Sequence, residues 1–265
     1  MISSDRSASD ILRAASNIVF CIAQIAVPPL SAIPGFFGIA GMQDIGTRSA
    51  QSPSLLTPPS FSFAIWGLIF AALSGHAVYQ ALPSRLTNAL LRRIGWWTAA
   101  AMALNASWEL VTVWQGITWI TMVLIGLILA SLLRAFFLLN ERKPISAMET
   151  VFVIFPISIF TAWITVACIL NAVSWLFNAG GFDGAGLSEA AWAAMFAALA
   201  GLLAALVMWV KKGNAFYALV LLWALGGIIY KCFNLGEMVA VAGAVIGIVF
   251  VLGGYGLAVY AKRMD

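Results

Sequence analysis

The chain has 265 residues, 63% of them hydrophobic and 9% charged, with a mean hydropathy of +0.99. That composition lies outside the range of soluble globular domains and excludes a water-soluble enzyme or binding module. The net charge of +4 and pI near 9.2 come from basic residues scattered singly and in pairs, so anionic lipid headgroups are their expected partners and nucleic acid is not.

Apolar runs long enough for the roughly 20 helical residues that span a hydrocarbon layer occur at 14–38, 61–82, 95–113, 117–133, 150–176, 190–210, 214–230 and 238–261. They are apolar all round, without the short alternating segments of a β-barrel. The expected fold is therefore all-α, a polytopic bundle of about eight transmembrane helices. The first run is preceded by Arg6 and Arg13 and interrupted by Pro28, Pro29 and Pro34, and it reads as a kinked span, not a cleaved signal peptide.

Loop charge gives an orientation, because Lys and Arg in short loops are retained on the cytoplasmic side. With both termini cytoplasmic, 12 of the 14 basic residues fall inside and only Arg48 and Lys231 fall outside. Cys21, Cys168 and Cys232 are far apart and each lies in an apolar run, so no disulfide framework or metal spacing is expected.

Two segments break the apolar pattern, "GMQDIGTRSAQSPSLLTPPS" at 41–60 and "NAGGFDGAGLSE" at 178–189. The first is long for a connection in a compact bundle and reads as a lid. The second divides the chain by composition into a Trp-, Asn- and Pro-bearing part, 1–178, and an Ala-, Gly- and Val-rich part, 179–265. Gly243 and Gly247, four apart, suit close helix approach in lipid, so the last three helices are expected to be packing elements.

The stretch "TAWITVACILNAVSWLFN" carries Asn171, Trp175 and Asn178 every three or four residues, with Trp163 about 80° around the helix from Asn171. In "WWTAAAMALNASWEL", Trp97, Asn105 and Trp108 or Glu109 make a comparable stripe. Two readings stay open for the amides, glue between helices or contacts to a ligand, and Trp96, Trp114 and Trp119 near span ends read as interfacial anchors.

These segments resemble the tryptophan-rich sensory protein, or translocator protein, family (TspO/MBR). Trp163, Asn171, Trp175 and Asn178 keep the intervals of the family's last-helix signature. "PPSFSFAIW" is similar to its proline motif through Pro58, Pro59, Phe63 and Trp66, and "LNASW" to a third motif through Asn105 and Trp108. Phe61, Ala101 and Ile157 depart from the usual Trp, Gln and Tyr, and three extra residues precede Trp163. The resemblance implies a five-helix ligand-binding core over 1–178, with 179–265 as a three-helix extension. It also implies a cavity closed by the first loop and lined by Pro59, Phe63, Trp66, Asn105, Trp108, Trp163, Asn171, Trp175 and Asn178. Porphyrins or other tetrapyrroles, sterols and similar flat apolar molecules are the implied ligands. Dimerisation through helix faces is implied as well, although the extra helices would replace or block that surface.

Among ionisable residues, Glu109 lies inside a span and is a functional candidate by default, with an interfacial carboxylate as the alternative. His76 reads either as a satisfied packing residue or as a proton relay, and Lys231 as a snorkelling side chain. Three functions compete: a receptor, sensor or carrier for a flat apolar ligand; a secondary transporter of a small hydrophobic or amphipathic substrate; and an intramembrane enzyme acting on an isoprenoid or tetrapyrrole. No metal cluster, nucleophile–base pair or phosphate loop supports the enzyme. The expected location is a bacterial inner (plasma) membrane.

Overall fold

A computed structural model describes residues 6–33, 35–39, 41–43, 47, 54–139, 146–179, 181–210 and 213–264. Eight long helices run through them: α1 Ala8–Ser31, α2 Ile65–Ala81, α3 Ala89–Gln115, α4 Trp119–Leu139, α5 Phe155–Ser174, α6 Glu189–Val210, α7 Ala215–Asn234 and α8 Met238–Met264. A 3₁₀ turn, Ser60–Ala64, leads into α2, and π-helical turns Thr150–Ile154 and Trp175–Ala179 flank α5. No strand occurs among the described residues. Seven helical spans are long and apolar enough to cross a membrane; α3, with Arg92, Arg93 and Glu109, is the remaining long helix. The protein is a multi-pass integral membrane protein.

Helix ends differ from the apolar runs where local chemistry outweighs hydropathy. α1 begins at Ala8 because Ser7 and Asp10 form a reciprocal capping box, the Asp10 amide donating to Ser7 Oγ and the Ser7 amide to the Asp10 carboxylate. It continues through Pro28 and Pro29 but stops at Ser31, seven residues before the expected end at 38, ahead of Gly35 at φ +73°. α3 starts six residues early, under an Asn88 side chain that accepts from the Leu90 and Leu91 amides, and ends at Gly116. Pro34 and Arg48 lie outside the described residues, as do four of the basic residues used for orientation, Arg142, Lys143, Lys211 and Lys212.

By contact the chain forms two compact units, one of Met1–Arg48 with Trp66–Thr161, the other of Ser49–Ile65 with Ala162–Asp265. This grouping is a different division from the compositional one at residue 178.

In the first unit α3 packs on α1 and α4, and the α1–α3 seam is polar. Asp10, Arg13, Asn17 and Gln24 recur at helical spacing on α1 and are all buried. Arg92 grips Asp10 through two bonds of 2.7 and 2.6 Å, and Arg13 lies 3.7 Å from the same carboxylate while donating to the Leu86 carbonyl. Asn17 donates to the carbonyls of Arg13 and Gly95 and accepts from Thr98 Oγ1 at 2.7 Å. Gly95 permits this approach, because a Cβ there would meet Gln80 Oε1 and Arg13 Cδ at 2.5 and 2.7 Å.

In the second unit α8 packs on α6 and α7 through small residues. A Cβ on Gly243 would fall on the Ala194 backbone, and one on Gly247 would lie 2.6 Å from the Ala197 carbonyl oxygen. The helices approach closely enough for dispersion between backbones to hold them, as the four-residue glycine spacing predicts.

Candidate functional site: an aromatic wall beneath a proline strap

The second unit carries the most elaborate local construction. Residues 54–59 form a strap that turns into α2 through Ser60–Ala64, with Pro59 extended and the Ser62 amide donating to the Pro59 carbonyl at 2.9 Å. Two prolines cannot supply amide donors, so the strap is fastened by side chains from elsewhere. Lys231 Nζ donates to the carbonyls of Ser54 and Thr57 at 2.7 and 3.2 Å, and Cys232 Sγ to that of Leu55 at 3.4 Å. The Leu55 amide donates to Glu189 Oε1 at 2.8 Å, and Trp223 Nε1 donates to the Ser62 carbonyl at 3.0 Å. Gly227 clears a place on α7 for the strap and the turn after it, since a Cβ there would run into Ser62 Oγ and lie 3.3 Å from Pro59 Cδ.

Below the strap Phe63 meets Trp163 edge to face, centroids 5.8 Å apart at 85°, and Trp163 is 1% exposed. A cavity of about 190 Å³ opens between the strap, the end of α5 and the start of α6, lined by Leu56, Phe177 and Trp192 with Ser54, Ser174 and Glu189 as its polar points. Trp192 donates to the Gly184 carbonyl at 2.8 Å and packs against Phe177 and Phe182, which fixes the Gly-rich loop beside the cavity. The cavity's walls are apolar and aromatic, with a few polar atoms among them.

The residues expected from the sequence fall into both units. Pro59, Phe63 and Trp163 come together as described. Asn171 donates to the Ala167 carbonyl one turn back at 2.9 Å, and Trp175 begins the π-helical turn that ends α5, where it is part-exposed. Neither lines the cavity. Asn178 belongs to that turn, and its side chain lies outside the described residues.

In the first unit Trp66 packs against Phe70 and Phe160, and Trp108 is 9% exposed. Asn105 Nδ2 donates to Gln24 Oε1 at 3.2 Å and to Glu109 Oε1 at 3.1 Å, and Glu109 is buried within the protein. His76 is fully buried, with Nδ1 2.7 Å from the Phe152 carbonyl and Nε2 2.8 Å from Gln80 Nε2, a satisfied pair of bonds that fits a neutral ring.

Sequence reasoning missed Glu189, Trp192 and the Lys231 clasp. It also missed the α1 polar stripe, whose spacing of three, four and seven was available as a signal.

A helical multi-pass membrane protein with an aromatic pocket under an anchored loop is the class these observations define. The family described as TSPO-like protein matches residues 14–255, through the last three helices as well as the first five, and the chain belongs to that family. No curated protein and no solved structure matches it.

Proposed function

We propose that this protein is a membrane receptor or carrier for a flat apolar ligand of the tetrapyrrole, sterol or carotenoid kind, bound in the second unit beneath the strap. The observation that supports this most directly is the cavity, where Phe177 and Trp192 offer aromatic surface and Ser174 and Glu189 offer orienting polar atoms. At about 190 Å³ it is smaller than the roughly 300 Å³ of a drug-sized site, so a ligand as large as a tetrapyrrole enters when the strap lifts. Phe63 and Trp163 lie outside the cavity's present lining and join it only when the strap lifts.

Titration of protoporphyrin IX into the purified full-length protein tests the reading. Saturable quenching of tryptophan emission is expected, reduced in Trp192→Phe and weakened in affinity in Phe63→Ala. No saturable quenching by protoporphyrin, and no competition from a sterol or carotenoid, removes the proposal.

A further inference from the structure

The α1–α3 seam ends in a cluster that the ligand reading leaves unused. Gln24, Asn105, Glu109 and Thr112 are each no more than 2% exposed. Asn105 Nδ2 bridges Gln24 Oε1 and Glu109 Oε1, which brings three side chains within a few ångströms of one another. After those bonds, Asn105 Oδ1, Glu109 Oε2 and Thr112 Oγ1 remain buried with no hydrogen-bond partner, against two unpartnered donors, Gln24 Nε2 and the Thr112 hydroxyl itself. Positions 105, 109 and 112 share one face of α3, so the surplus of oxygens is concentrated along one line.

One feature of α1 adds to that surplus. Pro28 has no N–H to give to the Gln24 carbonyl, four residues earlier, so this backbone oxygen lacks its usual helical donor. α1 and α3 run parallel, Asp10 beside Arg92, Asn17 beside Thr98 and Gln24 beside Asn105. Continuing that register puts Pro28 level with Glu109, and the Gln24 carbonyl points along the helix axis toward that level. Glu109 is six residues from the end of α3 at Gln115, about 9 Å along the axis.

A carboxylate buried in hydrocarbon needs a counter-charge or a proton. Among the described residues the ion pairs run to Asp10, and none reaches Glu109. A proton on Glu109 removes the charge but adds one more buried donor that needs an acceptor. A cation balances the charge, takes oxygens as ligands and needs no acceptor of its own.

We propose that Gln24, Asn105, Glu109 and Thr112 form an intramembrane site for a monovalent alkali cation. One carboxylate balances one positive charge, whereas a divalent ion would leave a net charge in the membrane interior. The donors are oxygens, and no group of three His, Cys, Asp or Glu side chains occurs among the described residues, which sets the site apart from transition-metal centres. Broken helical backbone beside a carboxylate and amide oxygens is a general way of holding such ions at membrane depth.

The test is thermal unfolding of the purified full-length protein in detergent, titrated with NaCl or KCl against choline chloride at constant ionic strength, with ²²Na⁺ or ⁸⁶Rb⁺ equilibrium dialysis as a direct count. A saturable rise of several degrees with an alkali chloride, and about one ion bound per chain, are expected. Glu109→Gln should abolish both. Thr112→Val, which keeps the side-chain volume, should raise the half-saturating concentration about tenfold with the fold intact by circular dichroism. Equal midpoints and no bound ion in all three salts overturn the site, as does an unchanged ion response in a folded Glu109→Gln protein. The ligand reading concerns the other unit and its own titration, so either can fail alone.

Discussion

The α1–α3 seam and the α6–α8 seam solve one problem with opposite chemistry. Lipid tails give no hydrophobic reward for bringing two helices together, so something else must hold them. At α1–α3 it is polar: a carboxylate, two guanidiniums, amides and hydroxyls bonded across the interface. At α6–α8 it is the absence of side chains, with Gly243, Gly247 and Gly254 opposite Ala194, Ala197 and Ala205. The polar seam carries unpartnered atoms, Arg13 Nε and Nη1 and Gln24 Nε2 among them, and buried atoms of that kind are where ions or water are taken up. The glycine seam has none of its atoms among them. One seam is therefore suited to chemistry and the other to support.

The difference is sharpest where each seam is broken at its closest point. Asp10→Ala strands Arg13, which is 1% exposed, and removes the anchor of Arg92. A loss of about 3 kcal/mol is expected, the low end for a broken buried pair because Arg92 is partly solvated. It is read as the drop in unfolding midpoint, and simultaneous Asp10→Ala and Arg13→Met substitution should recover part of it. Gly243→Leu should cost about 2 kcal/mol by overpacking against the Ala194 backbone, with no recovery from any change of salt. If the Asp10 substitution costs less than the glycine one, the polar seam is not the stronger of the two.

How much of this was legible follows the same contrast. The Gly243 and Gly247 spacing is local, four residues on one helix, and predicts a close approach whatever the partner. The eight helices and the family were legible for a similar reason, because hydropathy and motif intervals are properties of single segments. The α1 stripe was also present locally, as Asp10, Arg13, Asn17 and Gln24. Of its members only Arg13 is read, as a polar flank, because its value depends on Asp10 and on the Leu86 carbonyl. The cavity was not legible, since Glu189 and Trp192 come to the strap from the first turn of α6, whose placement depends on the Gly-rich loop before it and on no pattern within the helix. Lys231 read as a snorkelling side chain because its partners are backbone carbonyls 177 and 174 positions away, which no side-chain pattern announces.

A smaller effect separates a network bond from a simple contact. Thr98→Val keeps the shape of the polar seam but removes the hydroxyl that donates to Asn17 Oδ1. About 1 kcal/mol is expected, since interhelical hydrogen bonds in membranes average roughly 0.6 and reach about 1.7.

The smallest stability effect belongs to Lys231, where function and support meet. Lys231→Met keeps the apolar stem and loses the ammonium that holds the Ser54 and Thr57 carbonyls, so less than about 1 kcal/mol of stability should change. The strap, however, loses two of its fastenings. Cys232 reports this, because its Sγ is buried against the Leu55 carbonyl. In a Cys21→Ala, Cys168→Ala background, maleimide labelling of Cys232 should quicken about tenfold in Lys231→Met. Glu189→Gln retains an acceptor for the Leu55 amide and should stay near the parent rate. An unchanged rate in Lys231→Met transfers the anchoring to the contact of Ser62 and Pro59 with Gly227, and Gly227→Ala, which pushes first against Ser62 Oγ, then becomes the substitution that frees the strap.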